Sequence, residues 1–223
     1  MERHFEKELG NLKDNLIRMG SLVDDQLGAA CRALFEGDVA RAQVVIRGDG
    51  EVDRFDNLID QQCQGIFALS QPVAMDLRLL MSALKINSQL ERIGDIAVNI
   101  AERVEPLSRN REFLMQTRLS EMAGIARNMV RDSLDSFIHG DASLATRVLV
   151  SDDVVDTLDG GIFQSMMQKM QEDHSIIVPA SHIMMLARHI ERLADHATNI
   201  AEDVIFLVEA RLVKHHESDP DAR

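Results

Sequence analysis

Four pairs of carboxylates recur at a spacing of four residues: Asp49 with Asp53, Glu91 with Asp95, Asp152 with Asp156, and Glu191 with Asp195. On a helix that spacing puts both members on one face. Like charges so placed repel and cost an isolated helix about 0.2 to 0.5 kcal/mol per pair. A bound hard cation reverses the sign, because carboxylate and amide oxygens suit magnesium, calcium, manganese or ferric iron. Carboxylates also bridge two metals, so a stripe of them can hold a cluster. Asn99 and Asn199, eight residues after the glutamates, add amide oxygens as further candidates. The chemistry on offer is therefore cation binding.

The elements that must carry these groups are helices. Apolar residues return every three or four positions almost throughout. Six helices are expected: about 2–35, 38–68, from just beyond Pro72 to 105, 109–138, 141–172 and 177–214. Glu36-Gly37-Asp38 and His139-Gly140-Asp141 mark stops, Leu69-Ser70-Gln71-Pro72 a break, and Gly48 and Gly50 weak points in the second helix. Pro106, which cannot continue a helical hydrogen-bond ladder, is expected to end the third. The final HHESDPDAR reads as a frayed polar tail. At 1.5 Å per residue, helices of about 28 to 37 residues span on the order of 40 to 55 Å, a length that suits up-down bundles.

The chain repeats itself. Residues 90–104, LERIGDIAVNIAERV, match residues 190–204, IERLADHATNIAEDV, at nine of fifteen positions. Upstream, Gly37-Asp38 aligns with Gly140-Asp141, Asp49 with Asp152, Val52 with Val155, Asp53 with Asp156, and Asp56 with Asp159. The expected architecture is all-α: two tandem, pseudo-symmetric three-helix bundles, residues 1–106 and 107–223, side by side in one elongated molecule.

On a wheel with Glu91 at zero, Asp95 falls at about 40°, Asn99 at about 80° and Glu102 at about 20°, whereas Ile86, Leu90, Ala97, Ile100 and Val104 fall between about 180° and 260°. Glu191, Asp195, Asn199 and Glu202 repeat the pattern. Asp49, Asp53, Asp56 and Asp60 share a face of the preceding helix, as do Asp152, Asp156 and Asp159. The stripes are expected to face away from the core, and antiparallel pairing brings two together in each half. A single acidic stripe is ordinarily a solvated face; pairing and duplication favour a metal site. Arg92 and Arg192 flank the stripes more than they neutralise them.

Composition excludes several classes. The chain has 37 acids against 24 bases, a net charge of −13, which argues against nucleic acid and against an anionic membrane surface. It has no Trp, no Tyr and four Pro, a poor supply for a sandwich or barrel. No apolar run reaches the roughly 18 to 20 residues of a membrane span, and the charged start is not a secretory signal. Cys31 and Cys63 have no metal-ligand spacing; a reduced, buried pair suits a cytoplasmic protein.

LERIGDIAVNIAE and its copy IERLADHATNIAEDVIFLV resemble the twin signatures of the PhoU family of phosphate-transport accessory proteins. Pro72 followed by Asp76-Leu77-Arg78, the Gly-Asp turn and the C-terminal VIFLV fit as well, so the resemblance runs from about Phe5 to His215. It implies two three-helix bundles with metal clusters (iron, zinc, manganese or magnesium) on E/D-x-x-x-D motifs. All four motifs are intact here. It also implies a cytoplasmic, non-catalytic negative regulator of the phosphate-starvation response, tending to dimerise. Its implied partners are the ATPase subunit of the phosphate ABC transporter and a phosphate-sensing histidine kinase. Ile96 stands where the family often has a polar residue such as His, and Ala194 where Gly is usual. Since Gly48 and Gly50 flank the first Asp motif, the second half is expected to hold the better-ordered site.

Other residues carry less. His182, His189 and His196 fall at about 180°, 160° and 140° from Glu191, beside the apolar face, and read as core-edge or interface histidines. Methionines such as Met166, Met167, Met170, Met184 and Met185 read as core filling. Gly160-Gly161 lacks the lysine and preceding strand of a phosphate loop. Two function classes remain: a metal-loaded signalling adaptor, and a di-metal carboxylate enzyme on a helical bundle. The second needs Glu-x-x-His motifs, and no Glu here has a His three residues later. No nucleophile and base stand at a recognisable spacing either, so the adaptor is preferred.

Overall fold

The computed structural model describes residues 2–70 and 72–213. Helix α1 (Glu2–Glu36) buries Leu12, Leu16, Met19, Val23, Leu27, Ala30 and Leu34, a spacing of three and four that keeps one stripe on the core. It stops at Gly37, whose φ of +73° is the left-handed conformation that only glycine adopts freely. The next residue, Asp38, caps α2 (Val39–Gly48) by accepting a hydrogen bond from the Arg41 amide at 2.9 Å. The second repeat uses the same device. Gly140, with φ +63°, ends α7 (Leu119–His139), and Asp141 caps α8 (Ala142–Glu172) by accepting from the Ser143 and Leu144 amides. The duplicated Gly-Asp pair is thus a stop followed by a start.

Between these lie α3 (Gly50–Ser70), α4 (Ala74–Glu102) and the short α5 (Val104–Leu107) and α6 (Arg111–Met115); α9 (Ile177–Glu209) closes the chain. No strand occurs among the described residues. Helix α1, the α2–α3 run and α4 form one three-helix layer, and α7, α8 and α9 form its counterpart. The layers meet where α4 lies against α9 and α1 against α7. The first seam is antiparallel, fixed by Lys85 to Asp203 at 2.8 Å and by Gln89 to His196 at 2.7 Å. On the second, Asp24 takes hydrogen bonds from both Arg127 and Arg131. The helices come close there: a Cβ on Gly20 would stand 2.8 Å from Leu134 Cδ2. One continuous apolar core runs through both layers.

The six long helical runs are present, with differences at their joints. The second is divided at Asp49, between the two glycines. The third ends at Glu102 rather than 105, and Pro106 sits inside α5. The physical reason is the same proline: its ring excludes the carbonyl four residues back, that of Glu102, so the break falls one turn early. The fourth is interrupted at Gln116–Arg118, where the Thr117 hydroxyl donates to Leu114 O and accepts from the Leu119 amide. The sixth ends at Glu209, since Ala210 takes a φ of +55° and its amide returns to Phe206 O at 3.0 Å. Gln71, Lys214 and the polar tail lie outside the described residues.

Asn15 of α1 bonds Gln62 of α3 at 3.0 Å, which sets Cys63 level with Asn15, well inside α1. Cys31 then stands about sixteen residues away along the axis, roughly 24 Å at 1.5 Å per residue, and both thiols are free. Cys63 is fully buried and Cys31 partly so.

Candidate carboxylate seams

Each acidic stripe meets its partner across a helix pair. In the first half α3 and α4 face each other, and the charges report on one another. Burial raises the Glu91 carboxyl above its usual range; Asp95, Asp56 and Asp53 raise it further, against the opposing Arg92. Asp49 is raised by burial, then by Asp53 and Asp95. In the second half Glu191 is pushed up to about 7, by burial first and then by Asp195, Asp159 and Asp156, with Arg188 opposing. The helix hairpins therefore bring together the groups that the spacing singled out.

The stripes turn away from the core as expected, Asp53, Asp95, Asp156 and Asp195 being exposed, but some of their members are covered. Asp152 is only 5% exposed, and the Glu191 side chain 12%. When two helices pack, the groove between them covers the flank of each stripe, which a single-helix wheel does not show. Glu191 is gripped on one side only: Arg188 Nη1 donates to Oε1 at 2.7 Å, while Oε2 is buried with no hydrogen-bond partner. A buried carboxylate oxygen without a donor costs free energy until a cation or donor reaches it.

The donors fit a hard cation by type, being carboxylates with an orphaned oxygen among them. Among the described residues, however, no three His, Cys, Asp or Glu side chains converge into a preformed metal cage. Asn199 is drawn elsewhere: its amide reaches across to Gln89 Oε1 of α4 at 3.4 Å. Asn99 is half-buried on α4. Helix α8 runs unbroken past Asp152 and Asp156, whereas Asp49 sits at the α2–α3 joint.

Spacing at i, i+4 left Asp56 and Asp159 out of the paired set, although the wheel placed both on the acidic faces, one turn beyond each Asp pair. Burial raises both: in Asp56, Asp60 and Asp53 add to it against a hydrogen bond from Asn87; in Asp159, Asp156 adds to it against Arg188. Their alignment in the repeat was the available signal. Asn87 was missed altogether. Fully buried, it donates to Asp56 Oδ1 at 2.8 Å and Asp60 Oδ1 at 3.2 Å. Of the histidines, His196 and His189 sit at an interface, between α9 and the C-terminal half of α4. Because Gln89 Oε1 is an acceptor, His196 Nδ1 carries the proton and its buried Nε2 is left bare. Met166 is core, but Met167 and Met185 are 40% and 43% exposed. They lie on an exposed side of the α8–α9 hairpin.

Fold and site together define a class: duplicated three-helix layers carrying paired carboxylate seams. The PhoU domain model matches residues 16–104 and 119–204, and the chain belongs to that family. It is 41% identical over 209 residues to the phosphate-specific transport system accessory protein PhoU homolog of Aquifex aeolicus, covering 94% of this chain and 95% of that one. The crystal structure of PhoU from Pseudomonas aeruginosa superposes with a TM-score of 0.87 at 35% identity, covering 93% of this chain and all of that one. The phosphate transport system regulatory protein PhoU from Streptococcus pneumoniae gives 0.86 at 28% identity, covering 94% and 99%. No helix among the described residues is long and apolar enough to cross a membrane.

Proposed function

We propose that the protein is an accessory component of phosphate transport that restrains the phosphate-starvation response. It acts as a cytoplasmic, metal-binding adaptor between the phosphate ABC transporter and its sensor kinase, without catalysing a reaction. The observation that carries this reading is the nearly end-to-end relationship to phosphate-specific transport accessory proteins, joined to carboxylate seams at the same place in both repeats. Glu91, Asp95, Asp49 and Asp53 would hold cations in one half, and Glu191, Asp195, Asp152 and Asp156 in the other. A cation there supplies charge that neutralises the seams and stiffens each hairpin.

With a charge of −13 the adaptor reaches the membrane through proteins already there, not through anionic lipid. Deleting the gene should switch on phosphate-starvation genes in high phosphate. Pull-down from detergent-solubilised membranes should recover the transporter's ATPase subunit or the kinase. Silent genes in the deletion strain, with neither partner recovered, would overturn the reading.

A further inference from the structure

The two halves are alike in backbone and unlike in what they show outward, and the difference falls beside one carboxylate seam. In the first half the α3–α4 groove is closed by polar contacts, with Asn87 bridging Asp56 and Asp60. The repeat places Asp159 at the position of Asp56, Phe163 at Asp60, Met185 at Lys85 and Ala187 at Asn87. Where the bridging amide of the first half is replaced by Ala187 lies a hollow of about 270 Å³ lined by Asp159, Phe163, Met184, Met185, Ala187 and Arg188. Phe163 is 51% exposed, and Met167, one turn further along α8, extends the apolar surface. A charged or polar position has become apolar three times over in one spot.

Charge decides what could cover it. Asp159 lines the hollow, and Glu191 stands one helical turn beyond Ala187, with Asp156 and Asp195 next along the seam. The orphaned Oε2 of Glu191 has no hydrogen-bond partner among the described residues. Arg188 also lines the hollow, but it is engaged with Glu191 Oε1, and against this one cation stand Asp159, Glu191, Asp156 and Asp195, so without metal the rim repels an acidic partner and rewards a basic one. Methionines adapt to the shape of an incoming side chain, and an apolar groove edged by charge is the usual receptor for an amphipathic helix.

We propose that, while the second-half seam is free of metal, the α8–α9 hairpin docks a basic amphipathic helix of a partner protein. One apolar side chain fills the Phe163–Met184–Met185–Ala187 hollow, and a lysine or arginine one turn away meets Glu191 and Asp159. This names the partner chemistry of the adaptor reading and rests on it only in supposing a protein partner.

Because the chain has no Trp and no Tyr, a tryptophan in a probe peptide reports on the peptide alone. The probe is a leucine–lysine peptide of helical spacing with one tryptophan on its apolar face; its control carries glutamate for lysine. Titrated with full-length protein in chelator, the lysine peptide should show a saturable blue shift and the glutamate peptide none. Phe163→Asp and Met185→Lys restore first-half character at exposed positions, and each should weaken binding at least tenfold. Val44→Asp, on exposed α2 surface, should leave it unchanged. Helicity and melting temperature verify folding, and if Phe163→Asp is compromised Met185→Lys alone decides. Equal binding by both variants, by both peptides, or no saturable binding overturns the proposal. So does loss of self-association in Phe163→Asp without any peptide binding, which would make the hairpin a contact between copies. A deletion strain that still derepresses would leave the adaptor reading standing while this docking site fell.

Discussion

At Glu191 burial, three neighbouring aspartates and a single arginine compete, and the aspartates and burial win. Metal should therefore bind where it relieves that conflict. Asp152→Ala with Asp156→Ala, and Glu191→Ala with Asp195→Ala, should each lower the metal found by elemental analysis; unchanged stoichiometry in both would remove the assignment. Metal at about a hundred times its Kd should add roughly 2.7 kcal/mol of stability and raise the melting temperature. His196 gives a pH dependence. Burial first, then Arg92 and Arg192, lowers its pKa from 6.5 to about 4. Its contribution to stability is therefore complete above pH 6.5 and drains as the pH falls towards 4. His196→Gln should flatten that acid limb by on the order of 1 kcal/mol, allowing for solvent screening. His189, lowered by burial, Arg103 and Arg192, leaves a residual slope. An unaltered acid limb in urea titrations would refute it. The carboxylate pairs were legible because spacing and repetition are properties of one strand of text. Asn87 and the drift of Asn199 towards Gln89 were not, because they depend on which helices become neighbours.

Among the helices, the joints matter more than the spans. Gly140 holds a left-handed φ, and Asp141 behind it satisfies two amides of α8. Gly140→Ala places a Cβ in that conformation at a cost of about 1 to 2 kcal/mol. For a chain of this size the melting temperature should fall by roughly 2 to 4 °C for each kcal/mol. Thermal unfolding followed at 222 nm checks this, and an unchanged midpoint would mean the turn is relaxed some other way. The long spans could be read from periodicity alone: Ile86, Leu90, Ala97, Ile100 and Val104, chosen on the wheel, are all buried. The joints were read less exactly. Pro106 signalled a break and acted one turn upstream, on the Glu102 carbonyl. The Thr117 interruption carries no glycine or proline to announce it; its side chain competes for backbone partners that only the folded turn presents.

For the molecule as a whole, the decisive feature is that its repeats do not own separate cores. Leu12, Leu80 and Ile100 of the first half and Met122, Ile183 and Ile200 of the second belong to one continuous apolar cluster. Across it run the Lys85–Asp203 pair, itself held to α4 by Ser82 donating to Asp203 O, and the Gln89–His196 bond. Cutting the chain after Pro106, inside α5, would expose the faces of α1 and α4 that now meet α7 and α9, and would leave Ser82, fully buried in the intact molecule, at a wet surface. Apolar burial of that kind is worth about 25 cal/mol per Å², so each half alone forfeits a large share of what opposes its conformational entropy. The intact chain should therefore unfold in one transition, with circular dichroism and calorimetry coincident and the calorimetric and van't Hoff enthalpies equal. Residues 1–106 expressed alone should melt far lower or aggregate, and should recover stability when residues 107–223 are added. Two separated transitions in the intact protein, or a first half as stable alone as in the whole, would show that the shared core does not couple the halves.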